Sequence, residues 1–165
     1  MRIPYRKPGI YSQMKQDPHL TADKLADLER KLERLKLSKP AAMADVSRLA
    51  ELGDFSENVE YQLAKGRLRG INAGIFNTQS QIDNSVLIEN AGNTDKVQIG
   101  HTVTVLVNGK EKKYTILGSA ESDPKLGVIS HGSPLGLSLM YKEVGDEVKV
   151  KLADKDVVYK ILNIA

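Results

Sequence analysis

The sequence predicts an α+β protein, an N-terminal antiparallel α-helical coiled-coil hairpin followed by a β-rich half. Three observations carry this reading. Leu25, Leu28, Leu32 and Leu35 recur in alternating steps of three and four, and Leu68, Ile71, Ile75 and Ile82 keep a similar rhythm, so two helices each bear one apolar stripe. Between the stripes stands Gly53, a helix stop too close to both for anything but a tight connection. Beyond residue 90 the rhythm changes to short β-type runs separated by turn dipeptides. The chain accordingly divides into a basic N-terminal extension (1–20), a helical hairpin (21–89) and a β-rich domain (90–165).

Thr21 is placed to cap the first helix, whose outer positions alternate Lys and Glu as a solvated face does. Pro40 is expected to kink or break it, with Met43, Val46, Leu49 and Leu52 carrying the stripe on to Gly53. The second helix is expected to begin near Ser56, with Val59 and Leu63 preceding its main stripe. It carries Gly66, Gly70 and Gly74 at four-residue spacing, which points to close helix approach or local softness. No strand precedes these glycines, so they do not form a phosphate-binding loop.

In the second half the expected strands are Thr102–Val107, Lys113–Leu117, Gly127–Ser130, Glu147–Leu152 and Val157–Leu162, with a short helix over Pro134–Tyr141. Asn108-Gly109, Asp123-Pro124 and Gly145-Asp146 supply the turns. These spacings favour a compact antiparallel sheet of about five strands over βαβ units.

Composition narrows the chemistry. The 165 residues are 41% hydrophobic and 27% charged and contain no cysteine, which excludes disulfides, thiolate metal sites and thiol nucleophiles. No apolar run approaches the roughly 20 residues that span a bilayer, and Met1–Pro18 lacks the apolar core of a secretory signal. The expectation is a soluble, cytoplasmic protein with no membrane partner. A net charge of +3 allows nucleic-acid contact without establishing it. His19, His101 and His131 are scattered without metal-ligand spacing, and no Gly-x-Ser-x-Gly elbow appears, so neither a zinc site nor a hydrolytic triad is expected. Arg2, Tyr5, Arg6, Lys7 and Tyr11 suit a nucleic-acid arm or a solubilising tail. Lys65, Arg67 and Arg69 suit phosphate contact or a solvated charged face.

The most informative stretch is Gly53-Asp54-Phe55-Ser56-Glu57-Asn58-Val59-Glu60-Tyr61. Capping accounts for it one way, with Gly53 ending one helix, Asp54 capping the next and Glu57 closing a capping box. The other account is chemical. Asp54 and Glu57, three apart at an exposed helix start, are hard oxygen donors of the kind Mg²⁺ takes. Two acids make no cage, so as metal ligands they complete a site that another macromolecule holds. A helix of some 30 residues reaches about 45 Å, enough to carry such a tip deep into a channel.

That stretch resembles the tip motif of the bacterial Gre transcript-cleavage factors. A second resemblance lies at Ile129-Ser130-His131-Gly132-Ser133-Pro134-Leu135-Gly136 and Lys142-Glu143-Val144-Gly145-Asp146-Glu147-Val148, which are similar to the family's C-terminal domain. The two occur in the family's order. The resemblance implies an FKBP-like fold for the β-rich domain and RNA polymerase as partner, with the RNA 3′ end of backtracked complexes within reach. In the family the globular domain docks at the rim of the polymerase secondary channel while the coiled coil enters it. Tip acids then help bind the second catalytic Mg²⁺ of the polymerase and orient the attacking water.

Carried over, the tip acids are Asp54 and Glu57, and Ser56, Asn58, Glu60 and Tyr61 shape the tip. Lys65, Arg67 and Arg69 are the candidate RNA contacts, since Ala50 stands where the family often has a basic residue. The implied factor is a monomer that binds no cofactor alone and stimulates the polymerase's cleavage rather than catalysing by itself. Two other readings stand beside it: a Gre-fold regulator that inhibits polymerase without cleavage, and a prolyl isomerase or chaperone module carried on a structural coiled coil. The second needs an aromatic-lined pocket, for which the β-rich half offers Tyr114, Tyr141 and Tyr159.

Overall fold

The computed structural model describes residues 17–51, 59–89, 92, 94–152 and 155–165. Helix α1 (Ala22–Ala50) and helix α2 (Val59–Asp83) pack along one another. They run antiparallel, because Lys24 and Leu28 line one cavity with Gln81 and Asn84 at one end while Leu35 lies against Gly74 further along. Thr21 caps α1 as expected, its Oγ1 accepting from the Lys24 N–H at 3.2 Å.

Pro40 does not break α1. It removes one i→i−4 bond, yet the heptad seam passes through it unshifted: Leu25, Leu28, Leu32, Leu35, Lys39, Ala42, Val46 and Leu49 are all buried or half-buried. Burial of apolar surface on both sides of the proline holds the helix together across the missing bond. The expected continuation through Met43 was one position out of register, because Ala42 is the buried residue and Met43 is 49% exposed. A small side chain at a seam position escapes a search for large apolar residues. Leu52 lies outside the described residues.

The same correction applies to α2. Its seam runs Tyr61, Ala64, Leu68, Ile71, Ile75, Thr78 and Ile82, all buried or half-buried, whereas Val59 and Leu63 are exposed. Of the three helical glycines, Gly74 alone marks a close approach, since a Cβ there would stand 3.1 Å from Leu35 Cδ1. A Cβ on Gly66 or Gly70 would meet nothing within 4 Å. Gly66→Ala and Gly70→Ala should therefore each stabilise the hairpin by about 1 kcal/mol, read as a higher urea midpoint at unchanged slope. Gly74→Ala should gain less, because Leu35 must give way.

Strand β1 (His19–Leu20) precedes α1 and pairs in parallel with β2 (Val86–Leu87), which follows α2. The two ends of the hairpin are thus tied at its base, with Val86 N–H donating to Pro18 O and Ile88 N–H to Leu20 O.

The β-rich half is a five-stranded sheet of β3 (Thr102–Val107), β4 (Lys110–Leu117), β5 (Val128–Ser130), β6 (Glu147–Leu152) and β7 (Lys155–Ile164), in the order β5-β4-β3-β7-β6. Asn108 and Gly109 both take positive φ, 49° and 73°, the geometry of the tight turn that closes β3 onto β4. The sheet is mixed rather than antiparallel throughout, because β5 joins β4 in parallel. A crossover makes this possible: after β4 the chain makes a 3-10 turn at Ser119–Glu121 and a bridge from Asp123 to Val128 before entering β5. Helix α3 is Pro134–Leu139, capped by Ser133 Oγ accepting from Gly136 N–H.

Val103, Val105 and Val107 alternate inward on β3 and meet Ile116, Ile129, Leu139, Val150 and Ile161 in the core. Tyr159 is part of that core, and Tyr114 packs against it edge-on at 6.5 Å between ring centroids. Tyr141 is 71% exposed. The three tyrosines of the β-rich half therefore do not converge on a proline pocket. No helix among the described residues is long and apolar enough to cross a membrane.

Candidate functional site

Helix α1 runs to Ala50, where the Glu51 N–H donates to Ser47 O, and α2 is described from Val59 onward. Gly53, Asp54, Ser56, Glu57 and Asn58 lie between them, outside the described residues, together with Arg2, Tyr5, Arg6, Lys7 and Tyr11 of the N-terminal extension. Glu60 is exposed in the first turn of α2, where an acid complements the helix dipole. Tyr61 is half-buried on the seam and carries Lys65 Nζ 5.8 Å from its ring centroid.

Lys65, Arg67 and Arg69 are all exposed. At about 100° per residue, Lys65 and Arg69 share one face of α2 while Arg67 sits about 160° away from both. They make a basic pair and a separate arginine, not one patch. Exposed Leu63 lies beside Arg67, about 40° from it around the helix and on the opposite side from the Lys65 and Arg69 pair.

At the opposite end the hairpin is clasped to the sheet. Glu121, in the 3-10 turn after β4, accepts from both the backbone N–H and Oγ1 of Thr21 at 2.7 and 2.6 Å. Charge-assisted bonds at these distances are strong for their type. Asp17 reaches the same turn, where its Oδ2 accepts from Ser119 N–H at 2.7 Å. Its Oδ1 accepts from His19 N–H and faces His19 Nδ1 at 2.9 Å. Sequence reading missed this clasp, because it joins residues a hundred positions apart with no motif at either end.

The histidines, taken from their spacing as unrelated, are also regrouped here. His19 and His131 stand edge to face at 5.3 Å between centroids, with Asp17 beside both. His101 is separate, buried and accepting from Gln98 N–H through Nδ1.

Burial tends to raise the Asp17 pKa, but hydrogen bonds from Ser119 and His19 outweigh it and hold the carboxyl below its ordinary 3.8. A depressed folded-state pKa means stability that is present above the unfolded value and lost as pH falls through the folded one. The junction should therefore weaken below about pH 4, and Asp17→Asn should flatten that limb of a stability-against-pH curve while lowering stability at neutral pH.

With this geometry in view, comparison with known proteins assigns the two halves. A model described as "Transcription elongation factor, N-terminal" matches residues 19–87, and one described as "Transcription elongation factor, GreA/GreB, C-term" matches residues 92–165. The chain belongs to the GreA/GreB family. Transcription elongation factor GreA of Staphylococcus saprophyticus is 39% identical over 88% of this chain and 94% of its own length. GreA of Bacillus licheniformis is 42% identical over 84% of this chain and 90% of its own. Among solved structures, GreA factor homolog 1 of Thermus thermophilus aligns at 21% identity over 91% of this chain and 99% of its own, with a TM-score of 0.42. That backbone agreement is too loose to add to the assignment.

In this Gre-family chain the N-terminal match begins at His19, the first residue of β1, and ends at Leu87, the last of β2. The matched unit is thus the hairpin together with the strand pair that closes its base. The C-terminal match takes in the whole five-stranded sheet and α3.

Proposed function

We propose that this chain is a transcription elongation factor that enters the secondary channel of RNA polymerase with its hairpin and stimulates the polymerase's own cleavage of backtracked RNA. What carries the reading is the Gly53–Tyr61 motif, which the sequence sets between two long paired helices in a chain of this family. Helix α1 alone extends about 43 Å, a reach that suits delivery through a channel. The clasp at Thr21 and Glu121 supports the same reading, because a shaft fixed to its globular base delivers its tip to a defined depth.

Asp54 and Glu57 are the donated carboxylates. Their chemistry fits Mg²⁺ as partial ligands, two hard oxygen donors that need further ligands from the polymerase. Bound in the polymerase, Mg²⁺ supplies Lewis acidity and a water of lowered pKa. The chain's own contribution is to place carboxylate oxygens where they complete that coordination and accept a hydrogen bond from the attacking water. Ser56, Asn58, Glu60 and Tyr61 shape the tip. Lys65 and Arg69, sharing one face, are the better-placed pair for RNA phosphates, with Arg67 turned away from them.

The globular half supplies the dock. Leu137 on α3, with Tyr141 and Val144 just after it, leave large apolar side chains exposed at 64%, 71% and 55%. The direct test adds the protein to a stalled, backtracked polymerase and follows RNA length. Shortened transcripts with a freed 3′ fragment are expected; transcripts of unchanged length with slowed synthesis would replace this reading by channel-blocking inhibition.

A further inference from the structure

The clasp between the hairpin and the sheet contains a group of side chains that neither end of the proposed function uses. Asp17, His19 and His131 each offer one potential ligand atom, and these atoms lie within 4.8 Å of one another. His19 Nδ1 is 2.9 Å from Asp17 Oδ1, and His131 Nδ1 is 3.4 Å from Asp17 Oδ2. The second contact is close but misaligned, so His131 Nδ1 is shielded from solvent and makes no hydrogen bond. A shielded ring nitrogen left without a hydrogen bond beside a carboxylate oxygen is satisfied when both atoms ligate one cation.

We propose that Asp17, His19 and His131 bind a divalent transition-metal ion of the zinc class, which pins the segment ahead of α1 to the loop after β5. Two imidazoles and one carboxylate, with a fourth position left to water, are a donor set that zinc accepts in a tetrahedron. Ligands about 2.0–2.1 Å from a tetrahedral ion stand about 3.3 Å apart. The Asp17–His131 separation already matches that spacing, and the widest pair has to close by at most about 1.5 Å. Half-exposed rings permit the adjustment, with side chains 35% and 27% exposed for His19 and His131. The Ser119 N–H on Asp17 Oδ2 supplies the outer-shell bond that orients a ligating carboxylate. The depression that holds the three is lined also by Ser119, Ser130 and Ser133 and is open to solvent, giving the ion a way in.

This site is independent of the tip. Magnesium, which dehydrates reluctantly and prefers oxygen ligands, should not occupy it.

The experiment titrates zinc into the untagged full chain at neutral pH with millimolar magnesium present, by calorimetry and by the ring signals of the three histidines. One zinc per chain is expected, shifting His19 and His131 while His101 stays in place as an internal reference. His131→Asn and His19→Asn should each weaken binding by at least about tenfold, and zinc at a hundred times its Kd should raise the thermal midpoint of the natural chain by roughly 5–10 °C. No saturable binding, equal binding by both variants, or zinc shifts that spare His131 would overturn the proposal. The ring signals are read on the natural chain, so a variant that fails to fold does not remove the test.

Discussion

Asp54→Asn is expected to lower stimulated RNA cleavage by at least about a hundredfold while leaving binding to polymerase within a few-fold of the natural chain. The asparagine keeps the size and one acceptor oxygen of the carboxylate and removes its charge, so the loss isolates what the charge does. Groups aimed at charge that develops in a transition state typically account for 10²–10³ in rate each. Glu57→Gln should fall in the same range or somewhat below it, and the double variant should be little worse than the weaker single one, because two ligands completing one coordination sphere act as a unit. On the proposed function, binding is spared because it rests on the globular half and the shaft rather than on the tip. If Asp54 and Glu57 were caps alone, the asparagine at position 54 would serve nearly as well as the aspartate and cleavage would be unchanged. The two accounts therefore differ by two orders of magnitude in a single gel.

How much of this was legible in the sequence depends on the range of the interaction. The seams were legible because a heptad repeats locally. Both were misassigned where a small or amphipathic residue takes a seam position, Ala42 rather than Met43 in α1 and Tyr61 and Ala64 rather than Val59 and Leu63 in α2, since burial there comes from the partner helix rather than from the residue's own hydrophobicity. Pro40 looked disruptive because local rules assign it about 3 kcal/mol, while the packing that overrides it is tertiary. The Asn108-Gly109 turn was readable to the residue, because positive φ at both positions restricts the side chain directly. The parallel pairing of β5 was not, since it depends on how a ten-residue excursion crosses the sheet. The Thr21–Glu121 clasp and the Asp17–His19–His131 group leave no local trace at all. Of the tip motif the sequence carries the residues, and Gly53 to Asn58 lie outside the described residues.

The clasp makes the second large prediction. Gly118 has an ordinary φ of −69°, so its lack of a side chain is not a matter of backbone freedom. It is a matter of room, because a Cβ at 118 would stand 2.0 Å from the carbonyl oxygen of His19. Neither partner can yield cheaply, one being the end of the core strand β4 and the other half of the β1–β2 pair. Gly118→Ala should therefore push β1 off the sheet and cost about 3 kcal/mol, a ceiling set by the bonds that undocking gives up at Asp17 and Thr21. In calorimetry the hairpin should melt ahead of the sheet, with the sheet's own transition preserved. Adding Glu121→Gln to Gly118→Ala should cost almost nothing more, since both act on the same contact. The functional consequence follows from the geometry. A shaft hinged loosely to its dock still carries Asp54 and Glu57, but its tip samples many directions and its effective concentration at the polymerase centre falls. Gly118→Ala should then need more protein to reach half-maximal cleavage and reach a lower plateau, whereas Asp54→Asn should lower the plateau alone. A Gly118→Ala protein with unaltered melting and unaltered cleavage would show that the hairpin does not depend on this contact for its aim.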